Sequence, residues 1–349
     1  MKAVVIHQYG GPEVLTYEDV PEPVTGPGEI KIEIHAVSVN RVLDLEVRKG
    51  NQRQRGVTLP HILGVDPSGV VVETGAGVTA FKPGDRVAAL YRIACGICDP
   101  CREGSSQNCT DTAHLGIDRD GGNAEYICVP EGGALMVPDG LSFAKSGALA
   151  QHAPMAINLL RDMAGLSPGE TVLVMGAGGN LGGLGIQVAK ALGARVICAA
   201  GSDARVAIGM GFGADFGINY HASDLSGEVA GFTGGRGVDV VYDNIANPDS
   251  FPHEIAAMAE GARLVTAGAH GGPVVALDMA AVTEKGLTLV GGTGRSAEHL
   301  AQAMEWAASG KITTRISRIL PLSATRDAHI AMEDPGEGKI VLDPTLDHA

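Results

Sequence analysis

The sequence lacks the features of a nucleic-acid-binding, membrane-spanning or secreted protein. It has 26 Lys and Arg residues against 40 Asp and Glu, a net charge of −14, and no basic stripe for phosphate contacts. It contains no uninterrupted apolar run long enough to span a bilayer. The first residues, MKAVVIHQYGGPEV, have neither the apolar core nor the small-residue cleavage site of a signal peptide. We therefore expect a cytoplasmic protein that binds neither nucleic acid nor membrane.

Cysteine is also scarce, and its distribution is uneven. Four of the six cysteines fall within CGICDPCREGSSQNC, residues 95–109. The other two, Cys128 and Cys198, lie in apolar, strand-like runs and are predicted to be buried thiols. In a reducing compartment, clustered thiols favour a metal over disulfides. The cluster therefore predicts a metal site.

The remaining composition is that of an ordinary globular protein. Hydrophobic residues make up 45% and charged residues 19% of a chain whose 349 residues suit two domains better than one small core. The 50 glycines fall largely in short clusters between apolar runs. This distribution predicts many tight turns between strands and helices rather than a flexible tail.

The pattern of apolar residues changes near Ser146. Before it, short alternating runs such as EIKIEIHAVSV and GVVVETG are separated by Gly/Pro turns, which indicates β-structure. After it, apolar strands such as TVLVM and VDVVYD alternate with helices of about ten residues, which is typical of a parallel, doubly wound sheet. The segment after Gly294 predicts an amphipathic helix, AEHLAQAMEWAASGK, and a last strand, GKIVLD.

One segment of the second half predicts a dinucleotide site. The apolar strand 171–175 runs into the turn GAGGNLGG, a helix follows, and a second strand starts at Arg195. Glycines permit a tight turn and a close backbone approach, so that a pyrophosphate can rest on the N–H groups of the helix N-terminus. Strand, turn, helix and second strand occur in the order that this fingerprint requires. The alternative is a turn that is merely rich in glycine.

The end of the second strand predicts which dinucleotide binds. A site specific for NAD places an acidic side chain there to bind the ribose 2′-hydroxyl, whereas this chain has Ala200. Ser202 and Arg205 are suited to hold a 2′-phosphate, and Asp203 is an acid that complements the dipole of the next helix. We expect NADPH, with NADH as the alternative.

These segments resemble the medium-chain dehydrogenase/reductase superfamily, which contains zinc alcohol dehydrogenases and zinc-free quinone oxidoreductases. The similarity extends from GGPEVL through PHILG, SGVV, GDRV, the cysteine cluster, GGNAEY and the glycine turn to GKIVL. It implies an α/β fold with a GroES-like β-barrel domain, residues 1–148 and 294–349. A Rossmann domain with a doubly wound parallel sheet, residues 149–293, is inserted, and the active site is expected in the cleft.

The resemblance also implies one zinc ion. In this family the cysteines follow C-x2-C-x2-C-x7-C, which Cys95, Cys98, Cys101 and Cys109 match. Four thiolates close a tetrahedral site and leave no position for substrate, so this zinc is expected to be structural. Disulfides or idle thiols are the alternatives.

The ligands of the family's second, catalytic zinc are replaced. The three ligand positions fall on Asn40, on Val65 within Gly64-Val65-Asp66, and on Gln151. None is a cysteine or histidine, and valine cannot bind a metal, so we expect no catalytic metal.

The catalytic candidates are instead hydrogen-bond donors: Asn40, Gln151 and His152. Asn40 resembles the Asn-x-x-Asp pattern of the quinone oxidoreductases, but Asp44 lies one residue further along the chain. Alignment back from Asp44 places Arg41 at this position instead. For His152 the alternative is a helix-face histidine that is hydrogen-bonded to the backbone.

The resemblance assigns further residues to the cofactor. Tyr220 resembles a tyrosine that lies against the 2′-phosphate, and Asn244 follows a strand close to the expected path of the nicotinamide ribose. Turns at the ends of later strands are also expected to contact it. The predicted set is Gly178, Gly179, Asn180, Leu181, Ser202, Arg205, Tyr220, Asn244, Ala267, Gly268, Ala269, Gly292 and Thr293.

The residues favour an NADPH-dependent reductase of activated double bonds, in enones or quinones. We also expect a small-molecule carbonyl substrate and a homodimer or homotetramer. Hydride passes from nicotinamide to an electrophilic carbon, while hydrogen-bond donors polarise the substrate carbonyl. One alternative is a zinc-independent alcohol dehydrogenase or ketone reductase, with His152 and Tyr91 as candidate acid/base groups. The other is a cofactor-binding protein with a structural or regulatory role.

Overall fold

The computed structural model of the chain describes residues 1–51, 57–268, 271–292, 296–333 and 338–348. The chain divides into two units. The first comprises Met1–Gln151, Ser296–Ala308 and Thr314–Ala349, and the second comprises His152–Arg295 and Ser309–Thr313. The predicted boundaries, after residues 148 and 293, lie close to these, although the prediction had placed 309–313 in the first domain.

The helices and strands follow in chain order. The N-terminal part of the first unit contains β1 (Lys2–Ile6), β2 (Leu15–Asp19), β3 (Glu29–Ser38), α1 (Asp44–Arg48), β4 (His61–Ile62), β5 (Pro67–Thr74), β6 (Arg86–Ala89), β7 (Arg92–Ile93), α2 (Asp99–Arg102), β8 (Ala113–His114), β9 (Tyr126–Pro130), β10 (Ala134–Met136) and α3 (Phe143–Leu149). The second unit contains α4 (His152–Ile157), continued by a π-helical turn (Asn158–Met163), then β11 (Thr171–Met175), α5 (Asn180–Ala191), β12 (Arg195–Ala200), α6 (Asp203–Gly211), β13 (Phe216–Asn219), α7 (Leu225–Thr233), β14 (Val238–Asp243), α8 (Phe251–Ala257), β15 (Met258–Thr266), α9 (Met279–Lys285) and β16 (Thr288–Gly291). The chain then returns to the first unit with α10 (Ala297–Ala308), β17 (Ile316–Pro321), α11 (Thr325–Glu333) and β18 (Lys339–Asp343). Short 3-10 turns lie at Pro12–Val14, Ser106–Asn108, Glu131–Gly133, Leu322–Ala324 and Pro344–His348.

The first unit is built on the long strand β3. Its alternating isoleucines, Ile30, Ile32 and Ile34, are buried in one apolar core, as a strand with one face on the core requires. Within the described residues the strands form a sheet in the order β10-β6-β5-β3-β18-β17, with β9 also paired to β3, and a smaller sheet β2-β1-β4. Because the C-terminal strand β18 pairs antiparallel with β3, the two ends of the chain complete one domain. The predicted GroES-like domain is confirmed.

The second unit is a parallel sheet with the strand order β13-β12-β11-β14-β15-β16. The central strand β11 pairs in parallel with both β12 and β14, and all five of its residues are buried, which explains its continuous apolar sequence. The strand order reverses between β11 and β14, since β12 and β13 lie on one side of β11 and β14 to β16 on the other. Ligands of open α/β sheets bind at such a switch point. The predicted doubly wound sheet is confirmed, and the carboxyl ends of β11, β12 and β14 meet at one edge.

In the described ranges, no helix is both long and apolar enough to cross a bilayer.

Gly182 is the position where helix α5 approaches the end of β11 most closely. A Cβ there would lie 2.2 Å from the carbonyl oxygen of Gly176, a backbone atom that cannot move aside without displacing the turn. We predict that Gly182→Ala lowers the free energy of unfolding of the second unit by about 1–3 kcal/mol.

The matched control is Gly211→Ala, in helix α6, where a Cβ would meet no atom within 4 Å. This substitution should be neutral or slightly stabilising, since alanine has the higher helix propensity. Urea denaturation of both variants measures the difference. Equal losses of stability in the two variants would contradict the proposed close contact.

Candidate active site and metal lobe

The four clustered cysteines form a lobe between two short paired strands. β7 and β8 pair antiparallel and close the ends of the loop, while helix α2 carries Cys101 and the turn Ser106–Asn108 precedes Cys109. The sulfur of Cys98 lies 3.4 Å from that of Cys101 and 3.8 Å from that of Cys109, and the sulfurs of Cys95 and Cys109 are 3.6 Å apart. A tetrahedral zinc with Zn–S bonds of about 2.3 Å requires sulfurs about 3.8 Å apart. The lobe therefore fits a zinc ion.

The protonation of these thiols also fits a metal centre. Backbone N–H groups of Thr110 and Cys101 lower the pKa of Cys98 to about 6, whereas loss of hydration and the neighbouring Cys98 sulfur raise the pKa of Cys101 to about 12. Without a metal, Cys98 thus favours the thiolate and Cys101 the thiol. A bound cation would favour the thiolate form of all four cysteines, because thiolates are its ligands. In the part of the chain that the structure describes, no other group of three or more His, Cys, Asp or Glu places its ligand atoms as close together.

Asn40 lies in the turn between β3 and α1. Its Oδ1 accepts hydrogen bonds of 3.2 Å from the backbone N–H groups of Val42 and Leu43. Its Nδ2 has no hydrogen-bond partner among the described residues. The residue is only 4% exposed, whereas Arg41 is exposed. The turn therefore accommodates the extra residue before Asp44 and places Asn40, rather than Arg41, in the interior.

Asp44 connects this turn to the Gly64-Val65-Asp66 segment. Its Oδ2 accepts a hydrogen bond of 2.6 Å from the N–H of Asn40, and its Oδ1 accepts one of 3.1 Å from the N–H of Gly64. Burial raises the pKa of Asp44 to about 7, against the lowering effect of these two donors. Two of the positions where the family places ligands of the catalytic zinc, Asn40 and Val65, lie in these two loops. One carboxyl group thus joins the two loops.

Asp66 joins the remaining position to the same cluster. The hydroxyl of Ser38 donates to its Oδ2 at 2.9 Å, and the side-chain amide of Gln151 donates to its Oδ1. All three residues are buried, as is Val65, which packs in the apolar core. The structure therefore brings Asn40 and Gln151 into one buried polar cluster of the first unit.

This cluster does not fit a catalytic zinc. The amide oxygen of Asn40 accepts hydrogen bonds from its own turn, Val65 has no ligand atom, and the amide nitrogen of Gln151 donates to Asp66. Zinc sites in proteins use cysteine, histidine or carboxylate ligands, with at least three of them at a catalytic centre. The three positions supply none of these.

The sequence interpretation missed one charged member of this cluster. Lys339 begins β18 and is buried, and burial lowers its pKa against the opposing effect of Asp66 and Asp44. A lysine within the apolar run GKIVL was the available clue, because lysine is almost never buried without a partner. Its ammonium group offsets the negative charge that the two aspartates bring into the interior.

The glycine turn of the second unit has the geometry of a phosphate cradle. Gly176 has φ +70°, and Gly179 forms the N-cap of α5 without a side-chain hydrogen bond. The first N–H groups of a helix, here those of Asn180 and Leu181, have no intrahelical partner and bind anions. The turn therefore fits the pyrophosphate of a dinucleotide.

Gly178 is required at its position by Arg205. A Cβ at Gly178 would lie 2.8 Å from both Cβ and Cγ of Arg205, so the arginine stem packs directly against the turn. Among the described residues, none forms a hydrogen bond or ion pair with the exposed guanidinium group. It acts electrostatically on Tyr220, whose pKa is raised by burial. The Tyr220 hydroxyl would lie 3.2 Å from a Cβ at Gly201, directly after β12, so the tyrosine lies at the end of that strand.

Asp203, two residues before this arginine, is already hydrogen-bonded to another side chain. Asp203 accepts a hydrogen bond of 2.8 Å from the side-chain amide of Asn219. Ser202 is the N-cap of α6, and its hydroxyl does not cap the helix. Ala200, at the end of β12, offers no acceptor to a ribose hydroxyl. The strand end therefore presents an arginine that has no partner among the described residues, together with N–H groups of α6 without a side-chain cap, and both suit an anionic substituent.

The loop after β14 completes the edge of the sheet. Asn244 donates from Nδ2 to the carbonyl of Met175 at 2.6 Å. A Cβ at Gly268, which follows Ala267, would lie 2.1 Å from the carbonyl oxygen of Asn244, so these two turns are in direct contact. The predicted residues Asn244, Ala267 and Gly268 thus lie at the same edge as the glycine turn.

The other predicted residues lie in different surroundings. Gly292 donates its N–H to the carbonyl of Thr266 at 2.9 Å and packs against Met163. Ala269 and Thr293 lie outside the described residues.

His152 begins α4 and belongs to the second unit, unlike Asn40 and Gln151. Its Nδ1 lies 2.7 Å from the side-chain Nδ2 of Asn180. An amide N–H that donates to Nδ1 leaves the proton of the neutral ring on Nε2. His152 is half-buried, and in this tautomer its Nε2 is a hydrogen-bond donor.

The two domains and the cysteine lobe define a zinc-binding dehydrogenase. A family model described as Alcohol dehydrogenase GroES-like domain matches residues 26–139, and one described as Zinc-binding dehydrogenase matches residues 181–309. The chain belongs to the medium-chain dehydrogenase/reductase superfamily and is an oxidoreductase of this type.

Similar proteins differ in their named activities. The L-threonine 3-dehydrogenase of Pyrococcus horikoshii is 35% identical over 297 residues, which cover 84% of this chain and 83% of that protein. The crystal structure of an NAD-dependent alcohol dehydrogenase has a TM-score of 0.90 at 37% identity, covering 98% of this chain and 99% of the other. A mycobacterial quinone oxidoreductase has a TM-score of 0.82 at 27% identity, covering 99% of this chain and 100% of the other.

We predict that the purified protein contains close to one zinc per chain, because the lobe offers the one cysteine cluster of the described residues. Cys98→Ser should lower both the zinc content and the melting temperature, since one of four thiolate ligands is lost. Elemental analysis and thermal unfolding measure the two effects.

The control is Cys128→Ser, which makes the same chemical change at a buried thiol outside the lobe. It should leave the zinc content unchanged. Two zinc ions per chain would show a second metal site outside the lobe, and a full equivalent that remains in Cys98→Ser would show that Cys98 is not a required ligand.

Proposed function

We propose that this oxidoreductase reduces activated carbon–carbon double bonds, in enones or quinones, with NADPH and without a catalytic metal. The observation that carries the proposal is the set of hydrogen bonds at the positions where alcohol dehydrogenases need metal ligands. The amide oxygen of Asn40 accepts from the backbone of its own turn, and the amide nitrogen of Gln151 donates to Asp66. Hydrogen-bond donors are what this site offers to a substrate oxygen.

The available donors have defined positions. The amide NH2 of Asn40 has no partner among the described residues. Its Oδ1 is held by two backbone N–H groups, so the orientation of the amide is fixed. A preorganised donor of this kind stabilises a developing oxyanion by about 2.7–4 kcal/mol. Asn40 is therefore our first choice for polarising the carbonyl.

The choice of substrate follows from the strength of these donors. When bound, NADPH supplies a hydride with its two electrons. If the acceptor is the β-carbon of an enone, the negative charge is shared between the α-carbon and the oxygen before a proton from solvent or from a side chain completes the reduction. A saturated ketone places the whole charge on one oxygen, which neutral donors stabilise less well than a metal ion does. Neutral donors thus favour the conjugated substrate.

The preference for NADPH rests on charge at the end of β12. Arg205 is exposed, without a partner in the described part of the chain, and held against the glycine turn. Asp203, which would repel a phosphate, is hydrogen-bonded to Asn219. One similar structure is that of an NAD-dependent alcohol dehydrogenase. Use of NADH is therefore the alternative, and comparing the affinities for NADPH and NADH tests it.

A second candidate is oxidation of an alcohol, which the named activities of the threonine and alcohol dehydrogenases favour. That chemistry needs a side-chain base. The candidates are His152, whose Nδ1 lies 2.7 Å from Nδ2 of Asn180, and Tyr91, whose ring packs 5.1 Å from that of His114. For His152 to serve as the base, its ring must take the tautomer that leaves Nε2 without a proton, with the Asn180 amide turned so that its oxygen accepts from Nδ1.

Arg205→Ala should weaken NADPH binding by about tenfold or more, because a charge-assisted hydrogen bond to a phosphate contributes about 1.5–3 kcal/mol. NADH binding should change little. Fluorescence titration with both cofactors measures the effect, and Arg236→Ala, which removes an exposed arginine paired to Asp239, is the control. Equal affinity of the parent protein for the two cofactors would overturn the preference.

The substrate prediction compares the rate of NADPH oxidation by a conjugated substrate with the rate by its saturated counterpart. NADPH oxidation by an enone or quinone should exceed that by the corresponding saturated ketone, and it should persist after a chelator removes loosely bound metal. Asn40→Ala should lower turnover about a hundredfold, the effect of losing one preorganised donor.

The opposite outcome identifies the second candidate. If saturated alcohols are oxidised efficiently while enones and quinones are inert, the reductase proposal fails. His152→Ala then separates a side-chain base from a merely structural histidine, because only loss of the base flattens the pH profile of turnover.

A further inference from the structure

Asp118 holds the ring of His114 in a tight turn of the first unit. His114 ends β8, and its Nδ1 lies 2.6 Å from Oδ2 of Asp118. The same oxygen accepts a hydrogen bond of 2.9 Å from the backbone N–H of His114. The backbone closes the turn as well, since the N–H of Asp118 donates to the carbonyl of His114 at 2.9 Å. The orientation of the ring is therefore fixed by a carboxyl group that the turn itself holds in place.

These contacts assign different roles to the two ring nitrogens of His114. An ionised carboxyl group only accepts hydrogen bonds, so Nδ1 carries a proton and donates it to Asp118. Nε2 has no hydrogen-bond partner among the described residues, and the side chain of His114 is 23% exposed. Nε2 can therefore release and take up a proton while the Nδ1–H bond to Asp118 is kept. A ring held in this way changes its protonation without turning.

The ring of Tyr91 packs beside this histidine. The two ring centroids are 5.1 Å apart, and the N–H of Leu115 donates to the carbonyl of Tyr91 at 2.9 Å. Tyr91 also packs against the apolar core that contains Leu43 and Val65. Val65 is one of the three positions where the family places ligands of the catalytic zinc. Tyr91 therefore connects His114 to the part of the first unit that we propose for the substrate.

The turn that carries His114 also contacts the segment that holds Asn40. A Cβ at Gly116 would lie 3.0 Å from the carbonyl oxygen of Gly64, so the two backbones are in contact. The N–H of Gly64 donates to the Asp44 carboxyl group, which also accepts from the N–H of Asn40. His114 and the proposed donor Asn40 are therefore connected through one segment of the first unit.

We propose that His114 is the catalytic residue that donates a proton to the reduced substrate, and that Asp118 is its positioning residue. The inference rests on the proposed function, in which the β-carbon of an enone accepts a hydride. Asn40 donates a hydrogen bond to the substrate oxygen and His114 gives a proton to the α-carbon, so the two residues have separate tasks.

The proton transfer completes the balance of the reduction. The hydride brings two electrons to the β-carbon and leaves an enolate, whose α-carbon then needs one proton. The Nε2–H bond of protonated His114 breaks as the new C–H bond forms, and the ring becomes neutral. Solvent returns a proton to Nε2, because the side chain is partly exposed. Through the whole cycle Nδ1–H donates to Asp118, so the ring stays in place.

The experiment uses the full chain with NADPH and an enone that carries a substituent on its α-carbon, so that protonation creates a stereocentre. His114→Ala should lower kcat about a hundredfold or more, since a positioned proton donor accelerates a reaction by about 10²–10⁴-fold. The KM for NADPH, the zinc content and the melting temperature should not change. Solvent then supplies the proton, and the product should lose its stereochemical preference at the α-carbon.

Two further measurements separate proton donation from a structural role. Imidazole added to His114→Ala should restore part of the lost turnover, because it replaces the missing proton donor. Asp118→Asn should lower kcat without changing KM, since an amide N–H that faces Nδ1 favours the other tautomer. The control is His7→Ala, the same change at another histidine of the first unit, whose Nε2 lies 2.9 Å from the carboxyl group of Glu18. It should match the parent.

The outcomes separate this inference from the proposed function. If the parent reduces the enone and His114→Ala matches it in turnover and in product stereochemistry, the inference is wrong and the proposed function stands. A loss of turnover that imidazole does not restore also overturns the inference, because a structural defect would explain it. If the parent itself reduces neither enones nor quinones, the proposed function fails, and the inference fails with it.

Discussion

Carboxyl groups removed from water need hydrogen-bond donors, and this constraint shapes both units of the protein. In the first unit, Asp44 and Asp66 obtain donors from two loops and from Gln151. In the second, Asp243 obtains them from the loop that it precedes. Because each donor belongs to a segment that would otherwise be free to move, satisfying the acid also fixes the segment. The conformation of the functional loops is thus a consequence of the buried acids.

The same constraint explains how the first unit accommodates its buried acids without metal ligands at the three positions. A cation in this place would neutralise the acids nearby. Here the compensation comes from Lys339, whose buried ammonium group acts electrostatically on the same two aspartates, and from amide N–H groups. In the proposed function, neutral donors of this kind polarise and orient a substrate oxygen by hydrogen bonds.

Much of this organisation could be predicted from the sequence, because local rules determine it. The central apolar strand, the glycine turn and the cysteine spacing each depend on a few neighbouring residues, and the fold follows from them. The orientation of Asn40 could not be predicted, since it depends on how a turn absorbs one extra residue before Asp44. Lys339 was missed for a related reason. The two aspartates that act on it, Asp44 and Asp66, lie far from it in the sequence, and no local pattern shows which buried groups will lie side by side.

The packing of Arg205 on Gly178 has an evolutionary consequence. Because the arginine stem occupies the space of a missing side chain, any larger residue at Gly178 would push the guanidinium group away from its place. Gly178 is therefore constrained twice, by the glycine turn and by the role in cofactor choice that we propose for Arg205. If Arg205 binds the 2′-phosphate as proposed, a laboratory selection for NADH-dependent activity should also yield substitutions at Gly178, which would act by displacing the arginine.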